Sequence, residues 1–480
     1  MSRDGAQVRR DEGDAALSAR AREIYHEILR RTPEHDFDPT IDRVRRIVDV
    51  LGDPQRSFRA IHLTGTNGKT STARMIDALL RELGLRVGRF TSPHLSTVRE
   101  RIAIDGEPIS QAAWVQAWED VAPYIQIVDD ELVASGKYGP NGILSFFEVL
   151  TAMAFAAFAD APVDVAVIEV GMGGEWDSTN VVDAEVAVIT PIALDHQRWL
   201  GHSVAEIAGV KSGIIKPGAT AVVATQEEDV AEVIAARAGE VNARLVIEVE
   251  GEDVASLPGI AVLDRQVAVG GQVISLRGIG GTYEEIFVPL HGAYQAHNAL
   301  LAVAAVEAFL GGVALPADVV EAAFAGVTSP GRLELVRNSP TVLVDAAHNP
   351  AGARAAMEAV AEAFAFDRLI GVFGVMGDKD VEGILVELES SLAEIVVTHS
   401  SSMRAMELDD LADLARDVFG EDRVHVVERL DDAIALAADL AENDADGVGV
   451  GSGVIALGSV VIAAEVRTLG MVEVVFSYLV

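Results

Sequence analysis

The sequence contains no cysteine, which excludes a disulfide framework, a thiol nucleophile and thiolate metal ligation, and leaves oxygen and histidine as its metal-binding chemistry. Aromatic residues make up only 5% of it, and no uninterrupted apolar run reaches the roughly 18 residues that cross a bilayer. Basic groups are scarce: 37 Lys and Arg stand against 74 Asp and Glu, a formal net charge of −37. Binding along a nucleic acid draws on clustered Lys and Arg, so neither a nucleic acid nor a membrane is expected as a partner. A small anionic ligand stays open, because exposed charges are screened beyond roughly 10 Å and a few basic groups with a metal reverse the field locally. The N-terminal stretch mixes charges too closely for a secretory signal. The expectation is a soluble, cytoplasmic, monomeric protein with residues 1–20 disordered.

What is present is length and aliphatic content. At 480 residues, half of them hydrophobic, the chain exceeds what one core usually supports, so more than one domain is expected. Apolar content carried by Ala, Val and Gly suits helices packed on parallel strands. Val/Ile-rich runs at 60–64, 85–91, 163–170, 186–190, 221–224 and 245–249 alternate with helix-patterned stretches, which reads as a parallel sheet wrapped by helices. Ile76, Leu79, Leu80 and Leu83 repeat at helical spacing, with Gly84 as a stop. Residues 265–290 alternate and break at paired glycines, as small antiparallel strands do, and a helix is expected over 294–310. The Pro- and Gly-bearing segment 327–332 is the candidate linker. Beyond it, runs at 341–344, 369–373, 395–398, 424–427 and 454–457 predict a second doubly wound unit. The fold class expected is α/β: a larger N-terminal phosphate-loop domain (21–326) with a mainly parallel sheet plus a small antiparallel one, and a smaller Rossmann-like domain (333–480).

The strongest local signal is Thr64-Gly65-Thr66-Asn67-Gly68-Lys69-Thr70-Ser71, set between a strand and an amphipathic helix, where backbone N–H groups and a helix N-terminus hold phosphates. The glycines allow close approach, Lys69 can reach the β/γ oxygens, and the Thr70 hydroxyl can face magnesium. The loop is a shortened variant, since only two residues separate Gly65 from Gly68. Glu169 ends one expected strand, His196 lies beyond the next and Ser92 beyond an earlier one, so three donors converge on the sheet edge where ligands collect. Lys211 falls on the buried stripe of a helix from about Ser203 to Ile215, where burial lowers an amine's pKa and makes it nucleophilic.

The short loop, together with Thr91-Ser92-Pro93-His94-Leu95, Arg99-Glu100-Arg101-Ile102, Gly171-Met172-Gly173-Gly174 through Thr179-Asn180, Asp195-His196, Lys211, His297-Asn298, Gly331-Arg332 and Asp345-Ala346-Ala347-His348-Asn349-Pro350, resembles the Mur ligase superfamily, in particular its folylpolyglutamate synthase and dihydrofolate synthase branch. The resemblance implies an ATP-dependent ligase that activates a carboxylate as an acyl phosphate and joins it to L-glutamate, the acceptor being a folate or dihydropteroate. It implies ATP held by Thr66, Asn67, Gly68, Lys69, Thr70, Ser71, Asn298, Arg332 and Asp345, and two magnesium ions, with potassium as a further cation. The metal ligands it implies are Ser92, Glu169, His196, Thr70 and Lys211 as a carbamate. Lys69, Lys211 and His348 are the expected catalytic residues, and His94, Arg99, Arg101, Trp176 and Asp195 the expected substrate contacts. Glu175 and Trp176 depart from the basic and aliphatic pair usual in the family, and Trp176 can stack on a flat pterin or aminobenzoyl ring. Two rivals remain: a peptidoglycan amino-acid ligase, which should carry a preceding domain of about a hundred residues, and a nucleotide-gated ATPase switch that forms no amide.

Overall fold

The computed structural model describes residues 3–33, 39–138, 142–251, 254–442 and 451–477. Eight strands form the main sheet: β1 (Arg59–Thr64), β2 (Val87–Phe90), β3 (Ile102–Ile104), β4 (Glu107–Pro108), β5 (Val165–Glu169), β6 (Val186–Ile189), β7 (Thr220–Val223) and β8 (Arg244–Ile247). Their order is β4-β3-β2-β5-β1-β6-β7-β8. The six strands from β2 to β8 pair in parallel, while β3 and β4 fold back antiparallel at one edge. Leu63 is opposite Glu169, and Thr64 opposite Ile189, so the ends of the three central strands lie side by side.

The period-2 alternation of these strands divides two cores. Ile61, Leu63, Val165, Val167, Val186 and Val188 pack on one face beneath the helices Lys69–Glu82 and Ala293–Phe309. Ala60, Phe90, Ala166 and Ile168 face the other side, against the helices Gln111–Ser135 and Phe146–Asp160. Ile76, Leu79 and Leu80 are fully buried as their spacing predicts. A three-stranded antiparallel sheet, β9 (Ala261–Ala268), β10 (Gly271–Arg277) and β11 (Thr282–Val288), covers the end of the first core.

Residues 327–332 carry no helix or strand. The C-terminal sheet has β12 (Glu334–Asn338), β13 (Thr341–Val344), β14 (Arg368–Phe373), β15 (Glu394–Val397), β16 (Val424–Val426) and β17 (Ser452–Leu457), ordered β12-β13-β17-β14-β15-β16. All pair in parallel except β12 with β13. Leu343, Phe373, Ile395 and Ile455 face one helical layer, and Val342, Val344, Val372 and Val454 the other. This is the α/β architecture read from the sequence.

Three features differ from that reading. Residues 3–29 form one helix where disorder is expected up to residue 20; Ile24 and Ile28, one turn apart, are fully buried and anchor it through the second core. The edge strands β3 and β4 were not anticipated, because three- and two-residue strands are too short to show alternation. β12 was also missed, its Glu334, Arg337 and Asn338 making a polar edge strand. Among the described residues, no helix is long and apolar enough to cross a membrane.

Candidate active site

Residues 64–71 turn from β1 into the helix Lys69–Glu82. Gly65 and Gly68 have φ of 148° and 89°, a region that favours glycine. Space demands glycine too: a Cβ on Gly65 would lie 1.8 Å from the Thr190 Oγ1, and one on Gly68 2.5 Å from the Asn298 Oδ1. The Thr66 N–H donates to the Pro191 carbonyl, and the Thr66 hydroxyl donates to the Ala193 carbonyl at 3.0 Å, tying the loop to the segment after β6. The Lys69 ammonium folds back onto the carbonyls of Gly65 and Thr66, both at 3.0 Å. Burial depresses its pKa, with Glu169 and Asp195 opposing.

Glu169, 1% exposed, ends β5 beside the loop. Its carboxylate accepts the Thr70 hydroxyl at 3.0 Å and the Ser92 backbone N–H at 3.4 Å, and burial raises its pKa against the pull of Lys69. Lys211 is 4% exposed on the helix Val204–Ser212 and donates to the Gly65 carbonyl at 2.7 Å. Burial, then the neighbouring charge of Lys69, pushes its pKa down to about 7. His196 has a φ of 51°, a left-handed conformation uncommon for a side-chain-bearing residue, and burial lowers its pKa to about 3. Burial acts to raise the Asp195 carboxyl, but His348 at 3.4 Å and the Lys379 ammonium at 2.6 Å hold it well below the usual range.

A cavity of about 300 Å³ contains the whole loop together with Ser92, Glu169, Asp195, His196, Lys211, Asn298, Arg332, Asp345 and His348. A second, of about 550 Å³, is walled by His94, Arg101, Trp176 and, from the C-terminal domain, Lys379 and Arg404. The two share Ser92, Pro93, His196 and His348, so they meet where the metal-binding and catalytic candidates lie. Arg101, 3% exposed, donates to the His94 Nδ1 at 2.9 Å and lies over the Phe146 ring. Arg99 lies outside both cavities, donating to the Ile109 carbonyl at 2.8 Å.

Several candidates already hold protein groups. Asn67 and Asn349 exchange two amide hydrogen bonds, 3.2 and 3.1 Å, across the domains. The Ser71 and Ser329 hydroxyls are 2.8 Å apart. Asn298 accepts from the Thr72 hydroxyl and donates to Gln295. The Asp345 carboxylate takes the N–H groups of Leu333 and Ala347. Sequence reasoning missed Lys379 and Glu248. Lys379 follows the Gly374-to-Asp378 turn after β14, and Glu248 directly follows β8; both lie just past a strand's carboxyl end, the place where ligands bind in open α/β sheets. Glu248, Glu250 and His297 also bring potential ligand atoms within 4.8 Å of one another.

A phosphate-binding turn at the centre of a parallel sheet, facing a second α/β domain across a shared cavity, defines the architecture of a Mur-type ligase. Residues 136–306 match the Mur ligase middle domain, and 331–453 the Mur ligase glutamate ligase domain. The chain belongs to the folylpolyglutamate synthase/dihydrofolate synthase family of that superfamily. It is 51% identical over 463 residues to the dihydrofolate synthase/folylpolyglutamate synthase of Mycobacterium tuberculosis, covering 93% of each chain. With the Bacillus subtilis enzyme of the same name it shares 35% identity, over 78% of this chain and 84% of that one. The solved Mycobacterium tuberculosis folylpolyglutamate synthase complexed with ADP superposes with a TM-score of 0.88 at 50% identity, covering 95% of this chain and 99% of that one. E. coli FolC in complex with DHPP and ADP gives 0.76 at 27% identity, covering 91% and 94%.

Proposed function

We propose that this chain is an ATP-dependent carboxylate–amine ligase that adds L-glutamate to the γ-carboxylate of a folate and to dihydropteroate, releasing ADP and phosphate. The observation that carries this reading is the junction of the two cavities at Ser92, His196 and His348: a triphosphate seated on the loop presents its terminal phosphorus where a carboxylate from the larger cavity arrives. The relatives' names and the ADP-bound structure support it.

The groups present fit magnesium. Glu169 is a buried carboxylate that accepts the Thr70 hydroxyl and the Ser92 N–H, which leaves acceptor capacity beside Thr70 and Ser92 for a hard cation. His196 and a carbamate on Lys211 would complete the donors for two ions, with potassium as an accessory cation. Bound magnesium would neutralise phosphate charge and polarise the phosphoryl oxygens.

The chain's own groups position the reaction. Lys69, released from the loop carbonyls, pairs with the β/γ oxygens, and Arg332 approaches from the linker between the domains. The acceptor carboxylate oxygen bonds to the γ-phosphorus as the bond to ADP breaks, giving an acyl phosphate. The neutral glutamate amine then attacks the acyl carbon, phosphate departs, and the amine proton is lost to a neighbouring base; His348, fixed by its Nδ1 on the Ala346 carbonyl at 2.9 Å, is placed to take it or to orient the phosphate. His94, Arg101 and Trp176 hold the acceptor, and the closed domains exclude water from the acyl phosphate.

The test is incorporation of glutamate into dihydropteroate and into a reduced folate, read by product mass alongside ADP release. Amide formation dependent on all three substrates is expected; ADP release indifferent to glutamate and acceptor would instead identify an ATPase switch.

A further inference from the structure

Beyond the phosphate loop, the nucleotide cavity extends to Thr225, after β7, and to Glu248 and His297. β8 is three strands from β1 in the sheet, and three spacings of about 4.8 Å carry the cavity roughly 14 Å from the loop, a distance on the scale of an extended nucleoside triphosphate. The base of a nucleotide whose phosphates sit on the loop therefore reaches the β7–β8 end.

The chemistry waiting there is one-sided. Glu248 is 4% exposed; one oxygen is 2.6 Å from the His297 Nδ1 and the other accepts the Thr225 N–H at 3.0 Å. These two contacts fix the carboxylate plane. The β7–α turn is itself pinned, since Gln226 donates to the Thr190 carbonyl and accepts the Ile192 N–H. An ionised carboxylate only accepts, and it has room for about four hydrogen bonds, so acceptor capacity is left over on a buried, immobile group in the cavity wall.

We propose that Glu248, oriented by His297 and the Thr225 N–H, is the base-specificity residue of this ligase, accepting the exocyclic 6-amino group of adenine. Guanine and hypoxanthine carry a carbonyl oxygen at that position, and a second acceptor facing a buried carboxylate is repelled. This inference rests on the ATP-dependent reading above.

The experiment measures glutamate-dependent release of nucleoside diphosphate by the full-length protein with ATP, with ITP, and with purine riboside triphosphate, which lacks any 6-substituent. For the unmodified protein, kcat/KM is expected to fall about tenfold or more from ATP to ITP, and less for purine riboside triphosphate, which loses a hydrogen bond without meeting repulsion. Glu248→Ala should bring ATP and ITP to within about threefold of each other, its turnover of ITP reporting that the fold stands, with the change in KM for the nucleotide. Glu248→Gln, whose amide can turn an N–H toward a ring carbonyl, should shift the preference toward ITP. Equal use of ATP and ITP by the unmodified protein, or an ATP:ITP ratio unchanged in Glu248→Gln or Glu248→Ala, overturns the assignment. Absence of glutamate-dependent turnover with every nucleotide would defeat the ligase reading instead.

Discussion

Lys69 and Lys211 both donate to the Gly65 carbonyl, so two buried ammonium groups converge on one loop oxygen. Glu169 and Asp195 are the neighbouring carboxylates, and on the proposed reading a triphosphate would bring further negative charge to both amines. On the proposed mechanism Lys69 leaves the loop carbonyls to pair with the transferring phosphoryl group, so Lys69→Ala should lower kcat by about 10² to 10³, the range for loss of one preorganised electrostatic contact; steady-state ADP release measures it. Lys211 gives a pH signature. Its folded pKa of about 7 lies below the ordinary 10.5, so between those values the unfolded chain binds more protons and stability rises with pH. Below pH 7 the whole cost of burying the ammonium is felt. In buffer depleted of carbon dioxide and magnesium, Lys211→Met should therefore melt higher than the unmodified protein below pH 7, and that gap should close as pH rises toward 10.5. A gap independent of pH would mean that the amine is already neutral, or solvated, throughout.

At the scale of elements, Lys211 is placed by backbone contact between the glycine-rich segment and the helix Val204–Ser212. The Glu175 N–H donates to the Val210 carbonyl at 2.9 Å, and the Asn180 amide reaches the carbonyls of Glu175 and Gly213. A Cβ on Gly174 would stand 2.6 Å from the Lys211 carbonyl oxygen and 2.8 Å from that of Val210, and neither backbone atom can step aside as a flexible side chain could. Gly174→Ala should push the segment off the helix, displace Lys211 and Trp176, and raise KM for the acceptor more than for ATP; a kinetic profile altered only in the nucleotide KM would locate the strain elsewhere. This dependence on main-chain contact also marks what could be read from the sequence. The parallel strands, the phosphate loop and the donors at strand ends were legible, because alternation and glycine spacing are local. The pairing of Asn67 with Asn349, of Asp195 with Lys379, and the diversion of Arg99 to a backbone carbonyl were not, since each joins residues through the fold rather than through spacing. Helix 3–29 was hidden for a related reason: its fully buried anchors are Ile24 and Ile28, with Ala21 and Tyr25 beside them in otherwise polar last turns, and they matter because the helix Gln111–Ser135 packs against this one.

For the whole molecule, the decisive geometry is the cleft between the domains, because each cavity draws walls from both. Among the described residues, contacts across the cleft include the Asn67–Asn349 amide pair, the Arg265–Glu362 ion pair, the Arg467–Ser96 hydrogen bond and the Lys379–Asp195 ion pair, whose partners are each 8% exposed, while the Ser71–Ser329 hydroxyls tie the first domain to the linker. A buried ion pair contributes little net stability, yet removing Lys379 leaves the Asp195 carboxylate with only the His348 and His196 rings beside it, at a cost of up to about 3–5 kcal/mol. That penalty can be relieved without unfolding if the domains part and water reaches Asp195. Lys379→Met should thus open the cleft rather than melt either core: the ligand-free radius of gyration by small-angle scattering should increase, while circular dichroism stays unchanged. Asp195→Asn in the same chain removes the stranded charge and should partly restore the closed dimensions. Activity should respond differently, since the closed cleft also shields the acyl phosphate from water. In Lys379→Met, ADP release should be less tightly coupled to amide formation, and the ratio of phosphate to product should exceed that of the unmodified protein. Unchanged dimensions together with unchanged coupling would show that the other contacts between the domains, the Arg265–Glu362 ion pair among them, hold the cleft without Lys379, and that Lys379 serves only the ligand in the larger cavity.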